Sequence, residues 1–355
     1  MNEVVSVLKS NLSNDEALIV ESIPNRFYIT GFDSSDGFVY ISNNRAVFLI
    51  DSRYVEKAQK TVKSCEVVLS VLPLDELKDL LLKDGVKTVY IETESVSLDV
   101  FKKYKDAFCN IVVSSEDKFD VILKDLRSVK SEKELSLIKK AQKLTDETFN
   151  YILNRISIGR TEKEIMLDME FFMRKNGADA VAFDFIVVSG KNSSLPHGVP
   201  TDKKIEKGDF LTMDFGATVD GYRSDMTRTV AVGCVSDEQK KVYDIVFNAQ
   251  QKAIDKIKSG MVCKDIDSIA REYISKNGYK ENFGHGLGHS VGIEIHERPN
   301  FNTRCDTVLK PGTVMTVEPG IYLPDKFGVR IEDMVYVTDD GCINLTKSPK
   351  NLLII

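Results

Sequence analysis

The sequence predicts two domains, an α/β domain followed by an α+β domain. The first reason is length, because 355 residues exceed what one hydrophobic core usually serves. The second is pattern: short apolar runs alternate with amphipathic runs over residues 17–124, whereas glycine-rich, strand-like segments end the chain. The composition changes near residues 125–131, so we predict domains at residues 1–126 and 127–355.

The first domain is predicted from runs of two kinds. Five runs rich in Val, Ile, Phe and Tyr predict strands: ALIVES, GFVYISNN, AVFLID, EVVLSV and KTVYIE. Apolar residues spaced by three and four predict helices from Arg53 to Val62, in LDELKDLLLKDG and in SLDVFKKYKDAF. This layer contains no histidine, so histidine chemistry is expected in the second domain.

The second domain begins with helices that carry capping signals. Ser131 with Glu134, and Thr161 with Glu164, match the capping box that starts a helix. Two further helices are predicted in SDEQKKVYDIVFNAQQKAIDKIKSG and CKDIDSIAREYISKNG. The chain from residue 282 onward is glycine-rich and strand-like.

Composition excludes several classes of partner. A formal net charge of −6 argues against nucleic acid, which calls for a basic surface. No window approaches the roughly 18–20 uninterrupted apolar residues that span a bilayer. The opening residues, MNEVVSVLKSNLSNDE, lack the basic and apolar regions of a signal peptide. We therefore expect a cytoplasmic protein that contacts neither membranes nor nucleic acids.

The six cysteines are scattered without a C-x-x-C spacing. In a reducing compartment they are expected to be free thiols and small core residues rather than zinc ligands.

The four histidines favour one shared site. His285, His289 and His296 fall within twelve residues, in FGHGLGHSVGIEIHE, and His197 lies in NSSLPHG. A single histidine is more often a structural residue than a ligand. Three in one window, with the fourth also flanked by turn-forming residues, make a common site the better interpretation.

Four acids interrupt strand-like apolar runs: Asp214, Asp225, Glu318 and Glu332. An Asp-Gly pair at Asp220–Gly221 predicts a type I′ hairpin in which Asp225 lies opposite Phe215 or Gly216. If the partner is Gly216, the two aspartates lie on one face, because side chains alternate along a strand.

A carboxylate in an apolar run is costly unless it is paired or binds a metal. Polar strand faces with Lys or Arg partners would explain one such acid, but four acids and a histidine cluster favour a metal site. Carboxylates with one imidazole suit Mn²⁺ and Co²⁺ ahead of structural zinc. The set is large enough for two ions, which together polarise a carbonyl and form hydroxide at neutral pH.

The second half of the chain resembles the pita-bread metallopeptidases: aminopeptidase P, prolidase and methionine aminopeptidase. Seven blocks occur in that family's order: NSSLPHG, MDFG, DMTRT, GHGLGHSVG, IHE, VEPGIY and VRIED. The first half resembles the creatinase-type N-terminal domain, which methionine aminopeptidases lack. The resemblance therefore implies a creatinase-like α/β domain followed by an α+β pita-bread catalytic domain.

The resemblance also implies residue roles. The metal ligands would be Asp214, Asp225, His289, Glu318 and Glu332, with Asp225 and Glu332 bridging two ions. The catalytic residues would be His197, His285, His296, Glu318, Tyr322 and Arg330. Glu318 would be the general base, the three histidines and Tyr322 would stabilise the oxyanion, and Arg330 would orient Glu332. Mn²⁺ is the expected metal, with Co²⁺ and Zn²⁺ as alternatives, and a homodimer is expected.

The activity that the resemblance implies is hydrolysis of the bond between an N-terminal residue and proline. An Xaa-Pro aminopeptidase is the first expectation, and a prolidase restricted to dipeptides is the alternative. A prolidase needs a cation for the proline carboxylate, and Arg298, just after His296, is either that cation or a solvated loop residue. Prolidases tend to place an arginine just after Pro299, where this chain has Asn300.

Two other functions remain open: a metal-free, creatinase-like enzyme and a non-enzymatic binding module on the same fold. The intact set of acids argues against both, because members without metal have lost those acids.

Overall fold

The computed structural model describes residues 2–355, which form two compact units that meet in sequence between Arg127 and Ser128. Within the described residues, no helix is both long enough and apolar enough to cross a membrane.

The described part of the first unit contains one mixed sheet and six helices. The helices are α1 (Asn2–Ser10), α2 (Ile23–Thr30), α3 (Val55–Thr61), α4 (Pro73–Lys83), α5 (Leu98–Ala107) and α6 (Lys118–Ser128). The strands are β1 (Glu16–Val20), β2 (Phe38–Ser42), β3 (Ala46–Ile50), β4 (Glu66–Leu69), β5 (Thr88–Tyr90) and β6 (Val112–Ser114). Their order in the sheet is β4-β3-β2-β1-β5-β6.

Both faces of this sheet are covered. Leu18 and Val20 of β1 belong to one hydrophobic core, whereas Ala17 and Ile19 belong to another. Alternating side chains of a strand point to opposite faces, so the run ALIV is apolar throughout because neither face meets water.

The sequence predicts the five strands β1–β5 and the helices α3, α4 and α5 of this unit, within a few residues at their ends. It does not predict α1, α2 or α6. In α2 the buried side chains include Arg26 and Thr30, so the helix lacks the apolar spacing that the prediction requires. Ser22 nevertheless caps it by accepting a hydrogen bond from the Asn25 N–H.

The second unit contains four helices and thirteen strands among the described residues. The helices are α7 (Glu132–Leu153), α8 (Glu162–Lys175), α9 (Asp237–Ile254) and α10 (Cys263–Lys276). The strands are β7 (Ala180–Val181), β8 (Ile186–Ser189), β9 (Phe210–Phe215), β10 (Ala217–Val219), β11 (Tyr222–Arg223), β12 (Met226–Ala231), β13 (Gly288–Ser290), β14 (Glu297–Phe301), β15 (Val314–Val317), β16 (Gly320–Leu323), β17 (Phe327–Arg330), β18 (Asp333–Val337) and β19 (Cys342–Asn344).

These strands form four small sheets, ordered β11-β10-β7, β12-β9-β8, β14-β13-β15-β18-β19 and β16-β17. Helices α7 and α8 pack with β8, β9 and β12 in one core. Helices α9 and α10 pack with the later strands in another. Alternation along β9 serves both cores, because Phe210 faces the second and Leu211 faces the first.

The capping signals at the start of α7 and α8 are confirmed. Ser131 accepts a hydrogen bond from the Glu134 N–H, and the Glu134 carboxylate accepts one from the Ser131 N–H. Thr161 and Glu164 make the same reciprocal pair. Predicted helix α9 was too long, because the helix ends at Ile254 rather than at residue 260.

The predicted hairpin turn is present at Asp220–Gly221, where φ is 50° and 79° respectively, as a type I′ turn requires. Two cross-strand pairs give the register of the hairpin. Thr218 pairs with Arg223 next to the turn, and Phe215 pairs with Met226 further from it. Both pairs belong to the register in which Asp225 lies opposite Gly216, so this alternative is the one that forms.

Candidate metal centre and active site

Three side chains from distant parts of the chain meet in one buried cluster. Ligand atoms of Asp225, His289 and Glu332 all lie within 4.8 Å of one another. The His289 Nε2 atom is 3.6 Å from Asp225 Oδ2 and 3.4 Å from Glu318 Oε1. Three of the four predicted acid ligands therefore lie around the imidazole of the fifth predicted ligand, His289.

Strand ends place these side chains. Asp214 lies in β9, Asp225 directly precedes β12, His289 lies in β13, Glu318 directly follows β15, and Glu332 lies between β17 and β18. Because β9 pairs with β12 and β15 pairs with both β13 and β18, hydrogen-bonded ladders fix most of the spacing between them.

Glu332 is held from both sides. The Thr227 hydroxyl donates to Glu332 Oε2 at 2.7 Å. Behind it, the fully buried Arg228 donates to the Glu332 carbonyl and to Asp333 Oδ1 at 2.7 Å. Neighbouring side chains on an extended chain point in opposite directions, so Glu332 faces the cluster while Asp333 pairs with Arg228.

Asp214 extends the cluster and is held by Arg330. The Arg330 Nη2 atom donates to Asp214 Oδ2 at 2.6 Å, and its Nε donates to the Thr227 hydroxyl at 3.0 Å. The expected contact of Arg330 with Glu332 is thus indirect, through Thr227, whereas the direct contact is with Asp214. Asp214 Oδ1 is buried and has no hydrogen-bond partner among the described residues.

The electrostatics of the cluster call for a cation. Burial, followed by repulsion from Glu332 and Asp214, raises the pKa of Asp225 well above its usual range. Burial, followed by repulsion from Glu318 and Asp214, does the same to the pKa of Glu332. Burial also raises the pKa of Glu318 to about 8. Divalent ions would neutralise these charges and satisfy the orphaned oxygen of Asp214, so the residues fit a metal.

The protonation state and tautomer of His289 suit a metal ligand. Burial, followed by repulsion from His296, lowers the pKa of His289 to about 4, so the imidazole is neutral at neutral pH. Its Nδ1 lies 3.2 Å from the Ser290 carbonyl oxygen, and Nδ1 must therefore carry the proton. The lone pair of Nε2 is then directed at the acids.

A hydrogen-bonded chain borders the cluster on another side. His285 Nδ1 donates to the Gly286 carbonyl at 2.8 Å, and His285 Nε2 lies 2.9 Å from the Tyr322 hydroxyl. Arg330 Nη1 donates to the same hydroxyl at 2.9 Å. Burial, followed by the charge of Arg330, lowers the pKa of His285 to about 4. The neutral imidazole therefore accepts a hydrogen bond from the Tyr322 hydroxyl through Nε2.

The cluster opens into a cavity of about 1190 Å³. His197 and His296 line it, and the rings of His296 and His289 meet edge to face with centroids 4.5 Å apart. Phe183, Phe185 and Ile295 contribute apolar surface. The structure therefore brings all four predicted histidines, the five predicted ligands, Tyr322 and Arg330 to one region.

Arg298 does not belong to this cavity. Its side chain is exposed on β14 and is absent from the residues that line the cavity, although Asn300 is among them. The structure thus supports the interpretation of Arg298 as a solvated residue rather than as a carboxylate-binding group.

Four residues that hold the acids in place were not predicted from the sequence. Thr227 and Thr316 hold Glu332 and Glu318, the latter through a hydroxyl 3.2 Å from Glu318 Oε1. Arg228 lies next to Thr227 in DMTRT, and Asp333 follows Glu332 in VRIED. Because side chains alternate along a strand, a residue next to one that faces the cluster points away from it, and this rule could have identified both Arg228 and Asp333 as buried partners.

Comparison with known proteins decides the family. The model of metallopeptidase family M24 matches residues 136–339, and that of the creatinase/prolidase N-terminal domain matches residues 12–129. The chain belongs to metallopeptidase family M24. Its two units are therefore a creatinase-type N-terminal domain and a pita-bread catalytic domain, as the sequence predicts.

Full-length relatives of this M24 peptidase carry two kinds of name. It is 37% identical to an Xaa-Pro dipeptidase of Pyrococcus horikoshii, covering 99% of each chain. A structure of an Xaa-Pro dipeptidase from Bacillus anthracis matches it with a TM-score of 0.95 and 41% identity, over 99% of both chains. An X-Pro aminopeptidase from Thermotoga maritima matches with a TM-score of 0.91 and 40% identity, again over 99% of both.

Proposed function

We propose that this M24 peptidase is a two-metal Xaa-Pro dipeptidase. The observation that carries the proposal is the buried cluster of Asp225, His289 and Glu332, whose ligand atoms lie within 4.8 Å of one another. The first expectation from sequence was an Xaa-Pro aminopeptidase. The names of the relatives favour the dipeptidase alternative, because Xaa-Pro dipeptidases from two organisms match along the whole chain.

The residues that would hold two divalent ions are Asp214, Asp225, His289, Glu318 and Glu332. Mn²⁺ is the proposed metal, because carboxylates with one imidazole suit it. Such a pair supplies Lewis-acid polarisation of a carbonyl and lowers the pKa of water.

Glu318 is the proposed general base. Its carboxylate lies at the edge of the cluster, with Oε1 3.4 Å from His289 Nε2, where it can take a proton from a water molecule bound beside it. Glu318 takes the proton from the attacking water and returns it to the proline nitrogen that leaves. Thr316 donates to Glu318 Oε1 and fixes which way the carboxylate faces.

His197, His285, His296 and Tyr322 are the proposed stabilisers of the oxyanion that forms at the scissile carbonyl. His197, His296 and Tyr322 donate to it, and His285 acts through the Tyr322 hydroxyl, which turns its proton from His285 Nε2 to the oxyanion. His285 and Arg330 both contact the Tyr322 hydroxyl, which fixes its position, at 2.9 Å each. His197 and His296 line the cavity directly. Preorganised donors of this kind each contribute about 10²–10³-fold in other enzymes.

An Xaa-Pro aminopeptidase is the second candidate, and one observation favours it. The cavity contains Asn300, whereas the exposed Arg298 lies outside the lining, so neither provides a cation for a proline carboxylate. A homodimer is part of either proposal on the strength of the family resemblance, and sedimentation velocity would test it.

Substrate length separates the two candidates. After loading with Mn²⁺, the enzyme is given an Xaa-Pro dipeptide and the matching Xaa-Pro-Yaa tripeptide, and kcat/KM is measured for each. We expect the dipeptide to be cleaved at least about tenfold faster, a difference of about 1.4 kcal/mol in transition-state free energy. Faster tripeptide cleavage would replace the dipeptidase proposal with the aminopeptidase, and cleavage of neither would reject both.

A further inference from the structure

A buried ion pair lies next to the histidine-bearing strands but outside the proposed ligand set. The Lys130 Nζ atom is 2.8 Å from Glu297 Oε2, and the two side chains are 1% and 5% exposed. The partners are separated by 167 positions in the sequence. Breaking a buried pair leaves an uncompensated charge, so the geometry between them is strongly enforced.

The Glu297 carboxylate also closes the turn that precedes it. Its Oε1 atom accepts hydrogen bonds from the Ile293 N–H at 3.0 Å and the Glu294 N–H at 3.2 Å. Gly292 leaves room for this carboxylate, since a Cβ atom there would lie 2.5 Å from Glu297 Oε2. One carboxylate thus fixes the conformation of residues 292–297.

The same lysine reaches the strand before the turn. Lys130 Nζ lies 3.4 Å from the Ser290 hydroxyl, and the Ser290 carbonyl is the acceptor for His289 Nδ1. His289 therefore lies at one end of a segment that Lys130 and Glu297 hold, and His296 lies at the other. The two rings meet with centroids 4.5 Å apart.

We propose that Lys130 and Glu297 are positioning residues that hold the segment 289–297, so that His289 faces the acid cluster while His296 faces the substrate. This inference rests on the proposed function for the role of His296 and on the proposed ligand set, but not on Xaa-Pro hydrolysis, for the metal affinity of His289. The ion pair acts on backbone and ring orientation, and neither residue touches the substrate.

Glu297→Gln is the direct test. Glutamine keeps an oxygen for the two backbone N–H groups but turns an amide N–H₂ toward the ammonium of Lys130. Lys130→Met is the second variant, because it removes the cation and leaves the turn contacts in place. Metal-free protein is titrated with Mn²⁺ by calorimetry, and kcat and KM are then measured separately with an Xaa-Pro dipeptide.

Asp209→Asn is the matched control. Asp209 accepts from Lys203 Nζ at 2.6 Å and from the Glu206 N–H at 2.9 Å. Lys203 also reaches a serine hydroxyl, and a Cβ atom on Gly190 would lie 2.5 Å from Asp209 Oδ1. The arrangement repeats that of Glu297, but neither Asp209 nor Lys203 lines the cavity.

We expect both Glu297→Gln and Lys130→Met to weaken Mn²⁺ binding about tenfold and to lower kcat by a similar factor, with KM changing less. Asp209→Asn should change neither quantity, although all three variants lower the unfolding temperature. Mn²⁺ affinity and kcat within about twofold of the parent enzyme, or losses no larger than those of Asp209→Asn, would overturn the inference. The calorimetric result stands even if the enzyme cleaves no Xaa-Pro peptide, so the two proposals fail separately.

Discussion

At the scale of single residues, the candidate metal centre consists of buried carboxylates whose ionised forms are unfavourable without a cation. Asp225 is 4% exposed and Glu332 is 1% exposed, and burial together with repulsion from neighbouring acids raises the pKa of both carboxyls. Buried ionised groups are tolerated when paired or bound to metal. We therefore expect each acid to contribute more to ion binding than to folding.

Asp225→Asn tests this directly. Asparagine keeps the shape but removes the negative charge, so we expect bound Mn²⁺ to fall from two ions to one or none per chain. The metal-free protein should be at least as stable as the parent, because one repulsive charge has gone. Elemental analysis after dialysis measures the metal, and the exposed Asp339→Asn serves as the control. Two ions retained by Asp225→Asn would show that this acid is not a ligand.

Tyr322→Phe separates the hydroxyl from the ring. It removes the atom that His285 and Arg330 both contact at 2.9 Å, but leaves the packing. We expect kcat to fall about 10²-fold with little change in metal affinity. Tyr243→Phe is a suitable comparison, because Tyr243 is also buried and its hydroxyl donates to the Lys350 carbonyl. If the two variants lose the same activity, Tyr322 has only a structural role.

At the scale of elements, helix α10 supports the glycine-rich loop that carries His285. Arg271 of this helix donates to the carbonyls of Phe283 at 3.0 Å and His285 at 2.7 Å. Asp267, one helical turn earlier, pairs with Arg271 and accepts from the Leu287 N–H at 3.0 Å. Side chains of the helix thus provide hydrogen bonds to the loop backbone, which is not paired as a β-strand.

Arg271→Met should loosen the loop without unfolding the domain. We expect kcat to fall about tenfold, because His285 no longer holds Tyr322 in place, with a loss of roughly 1–3 kcal/mol in stability. Hydrogen exchange of residues 283–287 should increase in the variant. Lys276→Met, which breaks an exposed pair with Glu272 on the same helix, provides the control. Unchanged exchange in the loop would contradict this role for α10.

Elements were predictable where local signals coincide with the fold. The boxes Ser131–Glu134 and Thr161–Glu164 start helices, and Asp220–Gly221 forms its turn, because each satisfies backbone groups within a few residues. Helix α2 was not predictable by spacing, since its buried face includes Arg26, whose guanidinium donates to the Ser34 carbonyl. Tertiary hydrogen bonds there replace apolar contacts.

At the scale of the whole molecule, the stability of the metal-free protein should depend on pH. Glu318 has a folded-state pKa of about 8 against an ordinary value of 4.5, so its stabilising contribution is lost as pH rises toward 8. His285 and His289, with pKa values of about 4, act in the opposite direction below pH 6.5. Between pH 6.5 and 8 the acids dominate.

We therefore expect the metal-free protein to lose stability between pH 6.5 and 8, by up to about 1.4 kcal/mol per pH unit for each proton released. Saturating Mn²⁺ should abolish or reverse the trend, because the ions bind the deprotonated acids. Urea unfolding at several pH values, with and without metal, measures both. Glu318→Gln should reduce the slope, and a metal-free protein whose stability is flat or rises over this interval would contradict the electrostatic account.

The site was predictable because charge breaks an apolar pattern: Asp214 and Glu332 are acids in strand-like runs, and the histidines cluster. Pairs that support the site were not predictable, since Lys130 and Glu297 lie 167 positions apart and neither interrupts a pattern. Arg298 was a candidate for the carboxylate because it follows His296, but the direction of a side chain on β14 depends on tertiary pairing.

We propose that these acids and His289 hold two ions and that the chain is thereby an Xaa-Pro hydrolase. The most direct measurement titrates metal-free protein with Mn²⁺ while following hydrolysis of an Xaa-Pro dipeptide. We expect no hydrolysis without metal, and a rate that rises with added Mn²⁺ until about two equivalents per chain are bound. Hydrolysis at the full rate by metal-free protein, or none at saturating Mn²⁺ for any Xaa-Pro peptide, would contradict this proposal.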